Sequence, residues 1–249
     1  MRSKNCLVLV LGVALAATGA ARADEAKAKE VIDKAIKAHG GEAELKKLDA
    51  SSMKMKGTVH VMGMEIPFTG DSASQGEYRR RVDLEIEVMG MKIRVTNVFD
   101  KDKGWAKIND DLKELDKDQI KEGVDQAHSS HVVSLLPLKD KAYTLSVVGD
   151  EKVGNAEVVV IRVNRKDRRD VSLFIDKKSN LILKSETRVK DEQSGQEVNE
   201  ESFYLDYNAK GLRQPKKLSV KRDGKVFIEA EVLELHTDVK FDDAGFGKP

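Results

Sequence analysis

Apolar and polar residues alternate with a period of two along most of this 249-residue chain. The clearest case is the segment 82–88, in which Val82, Leu84, Ile86 and Val88 are separated by acidic residues. Successive side chains of a strand point to opposite faces, so the pattern predicts a sheet with one apolar and one solvated face. Similar runs predict about twelve strands, several between residues 52 and 109 and the others near 143–148, 157–163, 170–176, 181–190, 198–207, 215–222 and 225–235.

Helical spacing replaces this alternation in three segments. The first helix ends at Gly40 and Gly41, and a short helical segment follows at residues 42–48. A third helix, residues 117–136, is predicted from the capping box of Asp116 and Gln119. The apolar face of the first helix consists of Val31, Ile32, Ala35 and Ile36.

The letters VMGM occur twice, at residues 61–64 and 88–91, and every methionine except Met1 lies between residues 53 and 91. Thioethers are soft ligands that select Cu(I), and His60, Met62 and Met64 would align if the strand continued straight through them. Methionine is also a flexible apolar residue that adapts to varied partners. The glycines at 63 and 90 favour hairpin turns, which would break the alignment, so we predict no metal site and no cofactor.

The first 23 residues have the pattern of a secretory signal peptide. Arg2 and Lys4 precede an apolar run at residues 6–17, and a small-x-small cleavage site follows at residues 21–23. Cys6 lies before the apolar run, whereas the lipidated cysteine of a lipoprotein follows it. We therefore expect export to the periplasm and a mature, non-lipidated chain of one domain, residues 24–249.

The mature chain has no cysteine, which excludes disulfides and thiol nucleophiles. Removing Arg2, Lys4 and Arg22 from the 44 basic residues leaves 41, against 43 acidic residues. No basic tract dominates, which argues against nucleic acid as a partner.

Nothing in the sequence predicts an enzyme. It contains no Ser-His-Asp arrangement, nucleotide-binding loop or metalloprotease motif. His128 and His131 are helical neighbours that could hold a divalent ion, although such pairs more often pack or face solvent. We also expect the protein to be a monomer.

Arg80 lies an even number of residues from Val82, so its side chain is expected on the apolar face of the strand. Arg79 and Arg81 are expected on the opposite face. A guanidinium on that face could contact the polar head group of a ligand, or latch a lid through hydrogen bonds to carbonyls. Alternatively, the Arg80 side chain reaches water at the rim of the sheet.

Several segments together resemble the LolA-like superfamily of periplasmic lipoprotein carriers, also named outer membrane lipoprotein-sorting proteins. An early helix ends in KAHGGEAELKKL and leads into MKMKGTVHV, GEYRRRVDLEIEV and VFDKDKGWAKI. DVSLFIDKKSNLILKSET, FYLDYNAKGLRQPKKLSV and FDDAGFGKP follow in the same order as in the family. The resemblance covers roughly residues 26–249.

The resemblance implies a mainly β (α+β) fold, an open, strongly curved antiparallel half-barrel of about 11–12 strands with helices plugging the concave face. It implies a lidded hydrophobic cavity for the acyl chains of lipids or lipoproteins, with Arg80 as the polar latch or head-group contact. A membrane-bound donor or acceptor protein would be a further partner. The predicted cavity wall is Met53, Met55, Val59, Val82, Leu84, Ile86, Val88, Met91, Ile93, Val95 and Trp105, and the predicted lid residues are Ile120, Val124, Val132 and Leu135.

Three functions remain open at this point. The first is a periplasmic carrier that performs no chemistry. The second is a sensor or scaffold of the same fold that binds another envelope protein. The third is Cu(I) binding by the Met-x-Met pairs. A large open apolar cavity would favour the carrier, and a concave face filled by its own side chains would favour the sensor.

Overall fold

The computed structural model describes residues 14–191 and 194–249, with side chains from residue 24 onward. Within these residues, thirteen antiparallel strands form one sheet. The strands are β1 (Ala50–Val61), β2 (Met64–Gln75), β3 (Arg79–Val88), β4 (Met91–Asp100), β5 (Lys103–Ile108), β6 (Asp111–Glu114), β7 (Tyr143–Val153), β8 (Ala156–Arg165), β9 (Val171–Asp176), β10 (Ile182–Lys190), β11 (Glu197–Tyr207), β12 (Pro215–Arg222) and β13 (Lys225–Thr237).

The sheet consists of two meanders joined where β1 pairs with β13, in the order β6-β5-β4-β3-β2-β1-β13-β12-β11-β10-β9-β8-β7. Strands β6 and β7 form its two edges, so the sheet does not close into a barrel. The sheet is curved, so the Glu200 carboxylate on β11 lies close enough to influence the pKa of Arg80 on β3. In a flat sheet these strands would lie roughly 24 Å apart, at five strand spacings. The predicted mainly β, open antiparallel fold is confirmed.

Three α-helices accompany the sheet in the described part of the chain: α1 (Ala14–Ala38), α2 (Glu42–Lys46) and α3 (Lys117–Val133). Short 3₁₀ turns follow at Lys47–Asp49, Leu136–Lys139 and Asp243–Phe246. The predicted capping box at the start of α3 is present, since the Asp116 side chain accepts from the Gln119 backbone and the Gln119 side chain accepts from the Asp116 backbone. The helix ends at Val133, three residues earlier than predicted. Leu135 has a φ of 67°, which is incompatible with continued helix.

The main core lies between the helices and the concave face of β7–β10. The predicted apolar face of α1 is buried there, with Ile32 2% exposed and Ala35 fully buried. Inward-facing residues of β7–β10 complete this core: Leu145, Val159, Ile161, Val163, Val171, Leu173, Ile175 and Ile182.

A smaller core on the convex face corrects one prediction. Trp105 pairs with Val98, and both pack against the fully buried Phe246 of the C-terminal segment. The hairpin turn of Lys101 and Asp102 sets this register, pairing Phe99 with Gly104 on the concave face. Trp105 therefore points to the convex face and does not belong to the predicted cavity wall.

The predicted signal peptide, residues 1–23, falls partly outside the described residues, which begin at residue 14. In the part of the chain that the structure describes, no helix is long and apolar enough to cross a membrane.

Candidate binding site

The concave face of β1–β4 carries an apolar floor that no helix buries completely. Strand register places Leu84 opposite Val95 and Ile86 opposite Ile93, so these side chains share a face. Leu84 also covers Gly70 of β2, where a Cβ would lie 2.4 Å from a Leu84 methyl group. We define the apolar floor as the partly exposed side chains Met53, Met55, Val59, Val82, Leu84, Ile86, Val88, Ile93 and Val95.

The two VMGM segments form neighbouring hairpin turns at one end of this floor. Val61 pairs with Met64 and Val88 with Met91, which leaves Met-Gly as the two central residues of each turn. Met91, predicted for the cavity wall, lies at the turn and is 62% exposed. We call Met62, Met64, Met89 and Met91 the methionine rim.

A cavity of about 1130 Å³ lies at the opposite end of the floor, lined by charged and polar side chains together with Leu45, Leu48, Leu136 and Pro137; we call it the polar cavity after its charged residues. Arg80 is the one predicted site residue that lines it. The cavity is bounded by the chain after α2, the β2–β3 turn, α3 and the start of β7. Side chains that line it include Ser74, Glu77, Arg79, Ala127, Ser130, His131, Ser134, Tyr143 and Arg165.

Arg80 is a partly buried residue at the boundary between the polar cavity and the apolar floor. Its side chain makes no hydrogen bond or ion pair with any residue that the structure describes. Burial lowers the Arg80 pKa, and the Glu200 carboxylate on β11 opposes this effect. By contrast, its neighbour Arg79 is paired with Asp100 at 3.0 Å and with Asp243 at 2.9 Å. Among the described residues Arg80 thus has no direct hydrogen-bond or ion-pair partner, and its guanidinium is available to an anion.

A partly buried ion pair forms another wall of the cavity. The Glu77 carboxylate on the β2–β3 turn accepts a hydrogen bond of 2.6 Å from Arg165 at the end of β8. Burial raises the pKa of Glu77, but interactions with His128, Arg165 and Tyr78 outweigh it and lower the pKa to about 2. The same pairing raises the pKa of Arg165. Glu77 therefore stays ionised and joins two parts of the chain that lie 88 residues apart.

Two aromatic rings pack against this pair. The ring of Tyr143 stacks on that of His128 with centroids 5.9 Å apart, and the Tyr143 hydroxyl accepts a hydrogen bond of 3.1 Å from Arg165. His128 is fully buried, and its Nδ1 lies 3.4 Å from the Glu77 carboxylate without hydrogen-bond geometry. His131 faces the cavity, and burial lowers its pKa. The two histidine side chains therefore point in different directions: His128 points towards Glu77, and His131 points towards the cavity.

A second ionic cluster fixes α3 over the sheet. Arg169, after β8, binds Glu122 at 2.8 Å and lies 3.9 Å from Asp125. Glu122 also accepts a hydrogen bond from the backbone of Lys190 on β10. Glycine at position 123 permits the close approach of α3 to β4, because a Cβ there would lie 2.1 Å from the Phe99 ring.

The predicted lid residues divide into two groups. Ile120 packs near Gly104 on the concave face of β5, and Val124 is partly exposed. Val132 and Leu135 are fully buried in the main core and do not line the polar cavity. The surface that α3 presents to the cavity is therefore small and polar instead of apolar: Ala127, Ser130, His131 and Ser134.

Sequence reasoning did not identify the Glu77–Arg165–Tyr143 cluster. Tyr143 and Arg165 are paired across the neighbouring strands β7 and β8, but Glu77 comes from a turn far away in the sequence, and no local motif connects the three. The helical spacing of His128 and His131 did draw attention to this region, but it suggested a metal site. The structure instead places His128 beside a carboxylate in a packed interior.

The straight His-x-Met-x-Met arrangement does not form. The chain reverses at Met62 and Gly63, and His60 lies on the convex face, where its Nε2 is 3.2 Å from Glu229. Within the described residues, no cluster of three histidine, aspartate or glutamate side chains could hold a metal ion.

Comparison with known proteins supports the fold alone. No protein-family model and no curated protein matches the chain. A LolA superfamily protein from Nitrosomonas europaea is 13% identical, with a TM-score of 0.55, over 89% of this chain and 97% of that one. A domain named for outer membrane lipoprotein sorting, from Vibrio parahaemolyticus, is 11% identical, with a TM-score of 0.52, over 83% and 94% of the two chains.

A DUF1329 family protein from Desulfovibrio piger gives a similar result, with 14% identity and a TM-score of 0.53 over 88% of this chain and 97% of that one. Identities this low show shared architecture and do not carry residue roles from one protein to another. The expected resemblance is confirmed at the level of structure: the chain has a LolA-like fold.

Proposed function

We propose that this protein is a non-enzymatic periplasmic carrier that binds the acyl chain of a lipid or lipoprotein along the apolar floor. The observation that carries the proposal is the arrangement on one face of β3. An unpaired Arg80 at the polar cavity is followed by Val82, Leu84, Ile86 and Val88, which point the same way. An anionic head group near Arg80 and an acyl chain along the apolar residues would match this order.

The dimensions of the floor suit such a ligand. From Arg80 to Val88 the strand extends roughly 27 Å, at about 3.4 Å per residue. This is long enough for an extended fatty acyl chain. Burial of apolar surface yields about 25 cal/mol per Å² removed from water, so contact along one chain would contribute several kcal/mol.

The floor is tested by the substitution Leu84→Glu, which puts a charge among the apolar side chains at mid-strand. We expect at least a tenfold loss of bound fatty acid, because the carboxylate would have to lose its water to contact the chain. Leu84→Met is the matched control, since it keeps an apolar side chain of similar size. Equal lipid retention by Leu84→Glu and Leu84→Met would exclude the floor as the binding surface.

The head-group contact is tested with two ligands of the same chain length. Arg80→Met should weaken binding of a fatty acid about tenfold or more, because a charge-assisted hydrogen bond is lost. The corresponding fatty alcohol should bind wild type and variant equally. If the variant loses both ligands to the same extent, Arg80 has a structural role and does not contact the head group.

A second candidate is a sensor or scaffold that binds another envelope protein. One observation favours it, namely that the concave face of β7–β10 is filled by side chains of α1, α3 and the strands. Native mass spectrometry of the mature protein from its own periplasm, followed by organic extraction, separates the two candidates. Co-purified lipid supports the carrier, and a lipid-free protein in a stable complex with another protein supports the sensor.

A further inference from the structure

The methionine rim concentrates the oxidisable sulfur of the mature chain at one surface. The chain has seven methionines and one cysteine, and Met1 and Cys6 lie in the predicted leader. Of the six others, Met53 and Met55 are partly buried in the apolar floor. The remaining four are exposed at the two hairpin turns: Met62 82%, Met64 43%, Met89 89% and Met91 62%.

The two most exposed of these methionines occupy unfavourable backbone positions. Met62 has a φ of 53° and Met89 a φ of 52°, each followed by a glycine with positive φ. Two-residue turns of this kind prefer Asn-Gly or Asp-Gly, because other side chains clash in the left-handed region. Folding alone therefore favours asparagine at both positions. A strained residue whose side chain is also left in water suggests a role in contact with something else.

The rim continues the surface on which acyl binding is proposed. Val88 of the floor pairs with Met91, and Val61 pairs with Met64. An acyl chain lying along β3 would therefore end at, or enter past, these four side chains. Flexible apolar thioethers suit such a contact.

The chemistry of the thioether makes this contact sensitive to oxidants. The sulfur attacks one oxygen of hydrogen peroxide, so that an S–O bond forms and the O–O bond breaks. The sulfur loses two electrons, and the leaving hydroxide takes up the remaining proton as water. The product, methionine sulfoxide, is polar and disrupts apolar surfaces built from methionine.

We propose that the methionine rim is an oxidation site at which peroxide converts Met62 and Met89 to sulfoxides and thereby weakens acyl binding by the floor. The proposal rests on the proposed function. Oxidation would change the end of the floor at the methionine rim. The polar cavity at the other end, which Arg80 lines, has no methionine among its lining residues.

To test this, the mature protein is treated with increasing concentrations of hydrogen peroxide. The extent of oxidation at each methionine is then measured by peptide mass spectrometry. Met62 and Met89 should oxidise first, Met91 and Met64 next, and Met53 and Met55 last. A fluorescent fatty acid is then titrated into each sample. We expect at least fivefold weaker binding once Met62 and Met89 are fully oxidised, and recovery after treatment with methionine sulfoxide reductases.

Matched variants separate oxidation of the rim from general damage. Met62→Leu/Met89→Leu retains apolar side chains that peroxide cannot oxidise, so its affinity should change less than twofold on treatment. If the strained turns do not tolerate leucine, Met62→Asn/Met89→Asn provides the second variant, because asparagine suits these backbone positions, and its affinity should likewise change less than twofold on treatment.

Three results would overturn the inference. They are oxidation of Met53 and Met55 before the rim, unchanged affinity after complete oxidation of Met62 and Met89, or, in a variant that lacks Met62 and Met89, a loss of affinity on treatment equal to that of wild type. Failure of the proposed function gives a different result, because the untreated protein would then not bind the fatty acid at all. That outcome would remove the coupling between rim and floor as well.

Discussion

Single residues show where this sequence departs from what folding alone would favour. Met62 and Met89 adopt positive φ, which suits asparagine at the first central position of a two-residue hairpin turn. We therefore expect Met62→Asn and Met89→Asn each to raise the free energy of unfolding by about 0.5–1 kcal/mol. Urea denaturation measures the change. Met64→Asn is the control, because Met64 lies in a strand and has no left-handed strain to relieve. A loss of stability in both turn variants would contradict the prediction.

Within a single strand, the sequence pattern predicted which side chains share a face of the sheet. The alternation from Val82 to Val88 placed Arg80 on the concave face without any structural information, because side-chain parity is fixed within one strand. Trp105 was misplaced because a hairpin turn lies between it and that strand, and the turn length decides which face follows. Even or odd spacing therefore predicts the face of a side chain within one strand. Beyond a turn, the face follows only when the pairing register of the two strands is known.

At the scale of elements, the Glu77–Arg165 pair joins the β2–β3 turn to the end of β8 beneath α3. The pKa of Glu77 is lowered from 4.5 to about 2, so its ionised form stabilises the fold above about pH 4.5. This contribution, at most about 3 kcal/mol because solvent screens part of the pair, is lost as the pH falls from about 4.5 to 2. We expect Glu77→Gln to be destabilised by up to this amount at pH 7 and to match wild type near pH 2.

Urea unfolding at pH 7, 4.5 and 2.5 would measure this difference. Glu30→Gln is the control, because Glu30 forms a fully exposed pair with Lys34 on α1, which solvent screens. A stability difference between Glu77→Gln and wild type that is independent of pH would show that packing, and not the carboxylate charge, explains the effect.

The contact between α3 and β4 gives an element-scale prediction of unusual sign. Replacing glycine by alanine inside a helix normally stabilises it by about 1 kcal/mol. At Gly123 the added methyl group would collide with the Phe99 ring, so Gly123→Ala should instead destabilise the protein by about 1–3 kcal/mol. Calorimetric unfolding distinguishes the two signs. Ser130→Ala, on an exposed position of the same helix, should change stability little and serves as the control.

Element prediction succeeded where pattern and local contacts agreed. The capping box of Asp116 and Gln119 fixed the start of α3, because both hydrogen bonds are local. Strand β6 was not predicted, because all four of its residues are exposed and show no apolar alternation. The polar cavity was not predicted either, since turns, strand ends and a helix that are distant in sequence meet only in the folded chain.

The whole molecule is an open sheet whose two halves differ in how their concave faces are covered. Helices fill the face of β7–β10, while the floor of β1–β4 stays partly exposed from Arg80 to the methionine rim. Such an exposed apolar surface disfavours the free protein and is relieved when a ligand covers it. A ligand that binds only the folded chain must therefore raise its stability.

This linkage gives the prediction that best separates carrier from sensor. At a free fatty acid concentration one hundred times the Kd, the lipid-free protein should gain about 2.7 kcal/mol of unfolding free energy. For a chain of this length the gain corresponds to a rise in Tm of about 5–10 °C. Scanning calorimetry at several ligand concentrations measures it, and Leu84→Glu should show little or no rise. If wild type and Leu84→Glu respond alike, the fatty acid does not occupy the floor, and the exposed surface is better explained as a site for a protein partner.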